Sequence, residues 1–121
     1  KINYIGPVHG AEKVKIFLQS SIFILPTYYK TEAFPITFVE AMRTGNAIIS
    51  TKHNHIPNII TNKNGILVDK KSINQLITAQ EEIIKNPRRL KLIQKYNIEY
   101  AKEFFSPQQY LSRIEKILSE I

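Results

Sequence analysis

The residues best placed to do chemistry are two glutamates and the start of a helix between them. Glu32 and Glu40 stand on either side of Pro35, in the run Pro26-Thr27-Tyr28-Tyr29-Lys30-Thr31-Glu32-Ala33-Phe34-Pro35 and the apolar stretch that follows it. Proline suits the first turn of a helix, because its φ is already helical and its missing N–H costs nothing there. A helix opened at this point leaves its first backbone N–H groups without internal partners and turns the positive end of its dipole outward. Such an end favours a phosphate. The amides of Ile36 and Thr37 would meet the anion and Thr37 could add its hydroxyl, whereas Pro35 has no N–H to give. At ~1.5 Å rise per residue Glu40 would lie about 8 Å along the axis from the helix start. That is close to the span of a diphosphate with a sugar at one end and a ribose at the other. Carboxylates accept hydrogen bonds from vicinal hydroxyls, so the glutamates would read hydroxyls while the helix end holds phosphates.

The elements that must position these residues alternate in kind. Ile2 to Gly6 predicts a short strand, and Ala11 to Ser20 a helix with Val14, Phe17 and Leu18 on one side. Ser21 to Pro26 is a nearly continuous β-branched and aromatic run, as expected of a strand covered on both faces. A helix then runs from Pro35 to a left-handed cap at Gly45, followed by strand Ala47–Thr51. Lys52 to Asn64 is mostly loop, with one helical turn at Pro57 to Ile60, and Asn64-Gly65 is a turn before strand Gly65–Asp69. Ser72 with Gln75 forms a capping box, Asn86-Pro87 opens a second late helix, and Ser106-Pro107 with Gln109 opens the last. Strands alternating with helices imply an α/β fold, a parallel Rossmann-like sheet flanked by helices. With about four strands, against five or six in a complete doubly wound domain, the chain is expected to be truncated at its N-terminus. Ligands of such sheets bind beyond the carboxyl ends of the strands, where the Glu32 loop falls.

The 121 residues make one domain at most, of ordinary composition, 43% hydrophobic and 22% charged. The apolar run at Ile22 to Leu25 is far too short to cross a bilayer, and the start of the chain carries no signal-peptide pattern. The absence of cysteine rules out disulfides and thiolate metal sites. A net charge of +7 and a pI of about 9.7 would match nucleic acid, an anionic membrane surface or a phosphorylated ligand. Lys70, Lys71, Arg88, Arg89, Lys91 and Lys95 all fall in or beside late helices, where a solvated face accounts for them most simply. No RNA-binding aromatic motif or helix-turn-helix spacing is present, so no nucleic-acid partner is expected.

A set of ordered motifs goes further. Leu25-Pro26-Thr27, Glu32-Ala33-Phe34, Val39-Glu40-Ala41-Met42, Gly45 and Ala47-Ile48-Ile49 together resemble the retaining, nucleotide-sugar-dependent glycosyltransferases of family 4. Tyr4-Ile5-Gly6-Pro7-Val8, Pro57-Asn58-Ile59-Ile60 and Asn64-Gly65-Ile66-Leu67-Val68 resemble further elements of the same family, so the likeness covers nearly the whole chain. The resemblance implies the C-terminal, donor-binding domain of a GT-B hexosyltransferase with two Rossmann-like domains, spanning residues 1–121 here, the acceptor domain lying outside them. Glu32 would bind hydroxyls of the donor sugar nearest the reacting centre, with main-chain groups of Ala33, Phe34, Pro35, Ile36 and Thr37 around the sugar and phosphates. Glu40 would bind the ribose, and the loop Gly6, Pro7 and Val8 would approach the base. The resemblance further implies retention of configuration, no bound metal or cofactor, and a saccharide or lipid-linked acceptor in cell-envelope polysaccharide, lipopolysaccharide or glycolipid synthesis. It implies a cytoplasmic enzyme, with peripheral contact at the anionic inner face of the membrane, and an isolated fragment that is inactive.

The sequence departs from the family pattern in places. Pro35 replaces a glycine, and Asn58 replaces a glutamate. The family's Arg and Lys that neutralise the diphosphate lie upstream of this segment, and Lys13 and Lys30 are not evident substitutes. The rival reading is a non-catalytic basic α/β module docking on a membrane surface or nucleic acid. A phosphoacceptor receiver is excluded, because it needs clustered aspartates and Asp69 is the only Asp. His53-Asn54-His55 lacks a nearby carboxylate or cysteine and predicts loop histidines rather than a metal pair. His9 predicts a turn residue, Tyr28 and Tyr29 either shape the pocket or cover the loop, and Phe104 and Phe105 are expected in the core.

Overall fold

A computed structural model describes all 121 residues. Three strands, β1 (Ile22–Leu25), β2 (Ala47–Thr51) and β3 (Gly65–Val68), form one parallel sheet in the order β1-β2-β3. The register sets Ile22 against Ala47 and Leu25 against Ser50, then Ile48 against Gly65 and Thr51 against Val68. Six helices accompany it: α1 (Gly10–Gln19), α2 (Ile36–Arg43), the single turn α3 (Ile56–Ile59), α4 (Ile73–Ile84), α5 (Pro87–Phe104) and α6 (Pro107–Ser119). The α/β, Rossmann-like expectation is met, and no helix is long and apolar enough to cross a membrane.

β2 is the centre of the molecule, with all five residues buried. Its alternate side chains feed two cores, as the period of two in a strand requires. Ile48 joins Phe17, Phe38, Ala41, Met42, Ile56 and Ile60 on the side of α1, α2 and α3. Ala47 and Ile49 join Val68, Ala79, Ile83 and Ile93 on the side of α4. Helix α5 serves both, placing Ile93 in the second cluster and Ala101 in the first.

Between the cores and α5 sits a polar knot of Asn46, Asn64 and Asn97, each fully buried. The Asn97 amide donates to the carbonyls of Asn46 at 2.8 Å and Asn64 at 2.9 Å, and its oxygen accepts from Asn64 at 2.9 Å. A buried polar group left without a partner costs about 1–3 kcal/mol, so this network ties α5 to the loops entering β2 and β3.

Helix boundaries follow their local signals. Ser72, Asn86 and Ser106 each accept from the backbone amide three residues on, at Gln75, Arg89 and Gln109. The box at Ser72 is only half formed. The Gln75 side chain turns instead to Asp69, accepting from its amide at 2.7 Å and donating to its carboxylate at 2.8 Å. Those bonds, with Lys52, hold the Asp69 carboxyl below its ordinary range. Gly45 lies at φ +80°, the left-handed position expected after α2.

Four expectations need correction. Ile2 to Gly6 is not a strand: it pairs with nothing, and Ile2 and Tyr4 are almost fully exposed. β propensity alone cannot satisfy a strand's backbone without a neighbour to bond, and the sheet ends at β1. β1 is an edge strand whose faces are unevenly covered: Phe23 and Leu25 pack on the first core and Ile22 on the second, but Ile24 is left exposed. Phe105 is packed against the first core, whereas Phe104 is exposed. The helical turn arrives one residue early, at Ile56, with Pro57 in its first turn.

Candidate functional site

The junction of β1 with α2 lies at the carboxyl end of the sheet. Pro35 has ψ 125°, extended rather than helical, so it caps α2 and Ile36 is the first helical residue. No side chain caps this end. The Pro35 carbonyl accepts from Phe38 at 3.0 Å, but the amides of Ile36 and Thr37 donate to nothing in the chain. Ile36 is 77% exposed, so the helix start opens to solvent although Pro35 is buried. Two free, aligned donors at the positive end of a helix dipole are the elements of an anion site.

Phe38, Ala41 and Met42 face the core and fix the rotation of α2. Ile36 and Glu40, four residues apart, thereby share the outer flank. Glu40 is half-buried there and meets Lys13 of α1, Nζ to Oε1 at 2.6 Å. Nothing local predicts that Lys13 reaches this carboxylate, since 27 positions separate them. The pair is one-third exposed on both sides, where an ion pair contributes little stability. Its consequence is positional: it fixes which way Glu40 points.

Glu32 lies on the loop before α2, half-buried, with a carboxylate that makes no hydrogen bond in the chain. Ala33 is exposed, and Phe34 packs inward, its ring 5.5 Å from Phe38 and stacked at 6.2 Å on Phe105. This aromatic anchor sets the point from which the loop enters the helix. The stretch leading to Glu32 forms an open groove of about 760 Å³ lined by Thr27 to Thr31 and Lys71. Tyr28 and Tyr29 are largely exposed along it, and the Lys71 ammonium sits 5.3 Å from the centre of the Tyr28 ring. Glu32, the α2 N-terminus and Glu40 are thus successive features of one segment. Gly6, Pro7 and Val8 lie in the irregular stretch before α1, with Gly6 at φ +69°.

Sequence reasoning missed the loop after β2. His53 is 6% exposed, and its Nε2 meets the Tyr29 carbonyl at 2.8 Å. Asn54 donates to the carbonyls of Lys30 at 3.3 Å and Glu32 at 2.6 Å. The one legible hint was position: both follow a buried strand at its carboxyl end, where side chains face the neighbouring loop. His55 is exposed, and its Nδ1 lies 3.5 Å from the Asn58 side-chain amide. His9 precedes α1 without capping it. Lys70, Lys71, Arg88, Lys91 and Lys95 are exposed, and Arg89 pairs with Glu82.

Comparison with known proteins agrees with this geometry. The family model described as "Glycosyl transferases group 1" matches residues 1–104. Among solved structures, the fold is similar to that of sucrose-phosphate synthase from Thermosynechococcus elongatus, with a TM-score of 0.77 and 21% sequence identity. That match covers 90% of this chain and 27% of the other, so the chain spans about a quarter of that structure. No curated protein matches the sequence.

Proposed function

The chain belongs to the glycosyl transferases group 1, and from that premise we propose that it is the donor-binding, C-terminal domain of a retaining GT-B hexosyltransferase of family 4. The observation that carries the proposal is the uncapped start of α2, with Glu32 in front of it and Glu40 on its outer flank. In this reading the amides of Ile36 and Thr37 hold the diphosphate of a nucleotide sugar. Ala33, Phe34 and Pro35 shape the approach to the sugar. Glu32 accepts from sugar hydroxyls beside the anomeric carbon. Lys13 occupies Oε1 of Glu40, which leaves Oε2 to accept from a ribose hydroxyl, and Gly6, Pro7 and Val8 lie on the base side.

The chemistry follows from charge. The bond between the anomeric carbon and the phosphate oxygen breaks, and its electron pair leaves with the nucleoside diphosphate. The acceptor oxygen forms the new bond to that carbon, and its proton passes to the departing diphosphate. Negative charge grows on the leaving diphosphate, and preorganised donors aimed at developing charge lower such a barrier most. Helix amides can do this without a bound metal, which is the form proposed here. The acceptor, a saccharide or lipid-linked sugar, is assigned to a second domain, so these 121 residues alone are proposed to be inactive.

The test is nucleotide affinity. Nucleoside diphosphates should raise the melting temperature of the full-length protein, as any ligand of the native state does. Glu40→Ala should weaken their binding about tenfold, equivalent to about 1.4 kcal/mol. Unchanged affinity in calorimetric titration would remove the ribose role from Glu40.

A further inference from the structure

We propose that the end of β2 and the loop after it form a splint that sets the backbone carrying Glu32, with His53 and Asn54 as its positioning residues for sugar transfer. The main-chain ladder between β1 and β2 ends at Leu25 and Ser50. Side chains continue it. Ser50 Oγ donates to the Leu25 carbonyl at 2.8 Å, and Thr51 Oγ1 donates to that of Thr27. His53 Nε2 takes the carbonyl of Tyr29 at 2.8 Å, and Asn54 Nδ2 takes those of Lys30 at 3.3 Å and Glu32 at 2.6 Å. Taken in chain order, Ser50, Thr51, His53 and Asn54 of one segment grip carbonyls of the other in the same order, from the last residue of β1 to Glu32 itself, while Lys52 between them turns to Asp69.

Each grip has a cost that argues for a purpose. Asn54 sits at φ +46°, a left-handed backbone that a side chain disfavours and that asparagine tolerates better than most residues. His53 is buried with its Nδ1 unpartnered, a desolvation cost, and the one hydrogen bond its ring makes is that of Nε2. With a carbonyl as acceptor, Nε2 must carry the hydrogen. The Glu32 carboxylate has no partner of its own in the chain, so its place in front of α2 depends on its backbone. Asn54 holds that backbone at the Glu32 carbonyl.

This inference rests on the donor-site reading, and the experiment separates the two. In the full-length enzyme, Asn54→Gly keeps the left-handed backbone, which glycine adopts freely, and removes only the amide. His53→Ala removes the ring, and His53→Gln returns an N–H donor. Small misplacements of a group at the reacting centre cost up to about a hundredfold. Asn54→Gly should accordingly lower kcat by roughly ten- to a hundredfold. Its nucleoside diphosphate affinity should stay within about twofold, a shift of about 0.4 kcal/mol, because Glu40 and the α2 amides are untouched. His53→Ala should lose kcat to a similar extent, with partial recovery in His53→Gln. Amide exchange of residues 29–33 should quicken in Asn54→Gly while β2 and β3 stay protected.

Wild-type kcat in Asn54→Gly would overturn the splint. So would a loss of kcat matched by faster exchange throughout β2, because that is a failure of the fold. Glu32→Gln is assayed in parallel. If it is inactive while Asn54→Gly transfers normally, only the splint fails. If Glu32→Gln transfers normally, the donor-site reading fails, and the exchange of residues 29–33 still decides the splint.

Discussion

Replacing Glu32 by glutamine should cut sugar transfer by the full-length enzyme about a thousandfold, equivalent to about 4 kcal/mol of transition-state stabilisation. The substitution preserves size and removes the charge. A carboxylate beside the anomeric carbon accepts hydrogen bonds from sugar hydroxyls and opposes the positive charge that grows there as the diphosphate leaves. An amide oxygen does the first more weakly and the second hardly at all. The protein itself should be indifferent. Glu32 is not buried and its carboxylate makes no bond within the chain, so stability should change by no more than about 0.5 kcal/mol. Steady-state transfer assays paired with urea unfolding read both quantities. Activity within about threefold of wild type would remove Glu32 from the reacting centre, because even one lost donor or acceptor at such a position costs about a hundredfold or more.

The largest effect on folding is expected at Gly65. A Cβ built there would lie 1.7 Å from the Ile48 carbonyl oxygen, 2.6 Å from its carbon and 2.8 Å from its amide nitrogen. All three are backbone atoms of the central strand, and Gly65 is the residue paired with Ile48 in the register. Side chains can turn aside; the middle of a buried strand cannot. Relief would require β3 to part from β2, breaking the ladder and opening the core around Ile49 and Val68. Gly65→Ala should therefore destabilise the protein by upwards of about 4 kcal/mol, beyond the range of ordinary overpacking. An unfolding free energy from urea titration within about 1 kcal/mol of wild type would show that the strands separate more easily than the packing implies.

How much of this was legible depended on whether the signal was local. Strand β2 and helices α2, α4, α5 and α6 could be read because a buried β-branched run, a proline start, a glycine stop and polar caps lie within a few residues of what they shape. The Ile2–Gly6 stretch has the same local signal as β2, yet a strand also needs a neighbour, and that is settled by topology. Asn64-Gly65 read as a turn, whereas the glycine is demanded by the approach of Ile48. The side of the sheet on which the glutamates and the α2 start fall was legible, because a strand, a loop and a helix in that order fix it. The contact of Lys13 with Glu40 and the grip of His53 and Asn54 on the Glu32 loop were not. They depend on the rotation of one helix and on the register of two strands, and neither is written in a short window of sequence.

The proposed contact between diphosphate and helix end is tested most directly by a crystal structure of the full-length protein with a nucleoside diphosphate sugar bound. The amides of Ile36 and Thr37 should lie about 2.7–3.2 Å from phosphate oxygens, with the ribose against Glu40 and the sugar against Glu32. A diphosphate bound away from the start of α2, for example along the groove of Tyr28 and Lys71, with both glutamates free of ligand, would contradict the account.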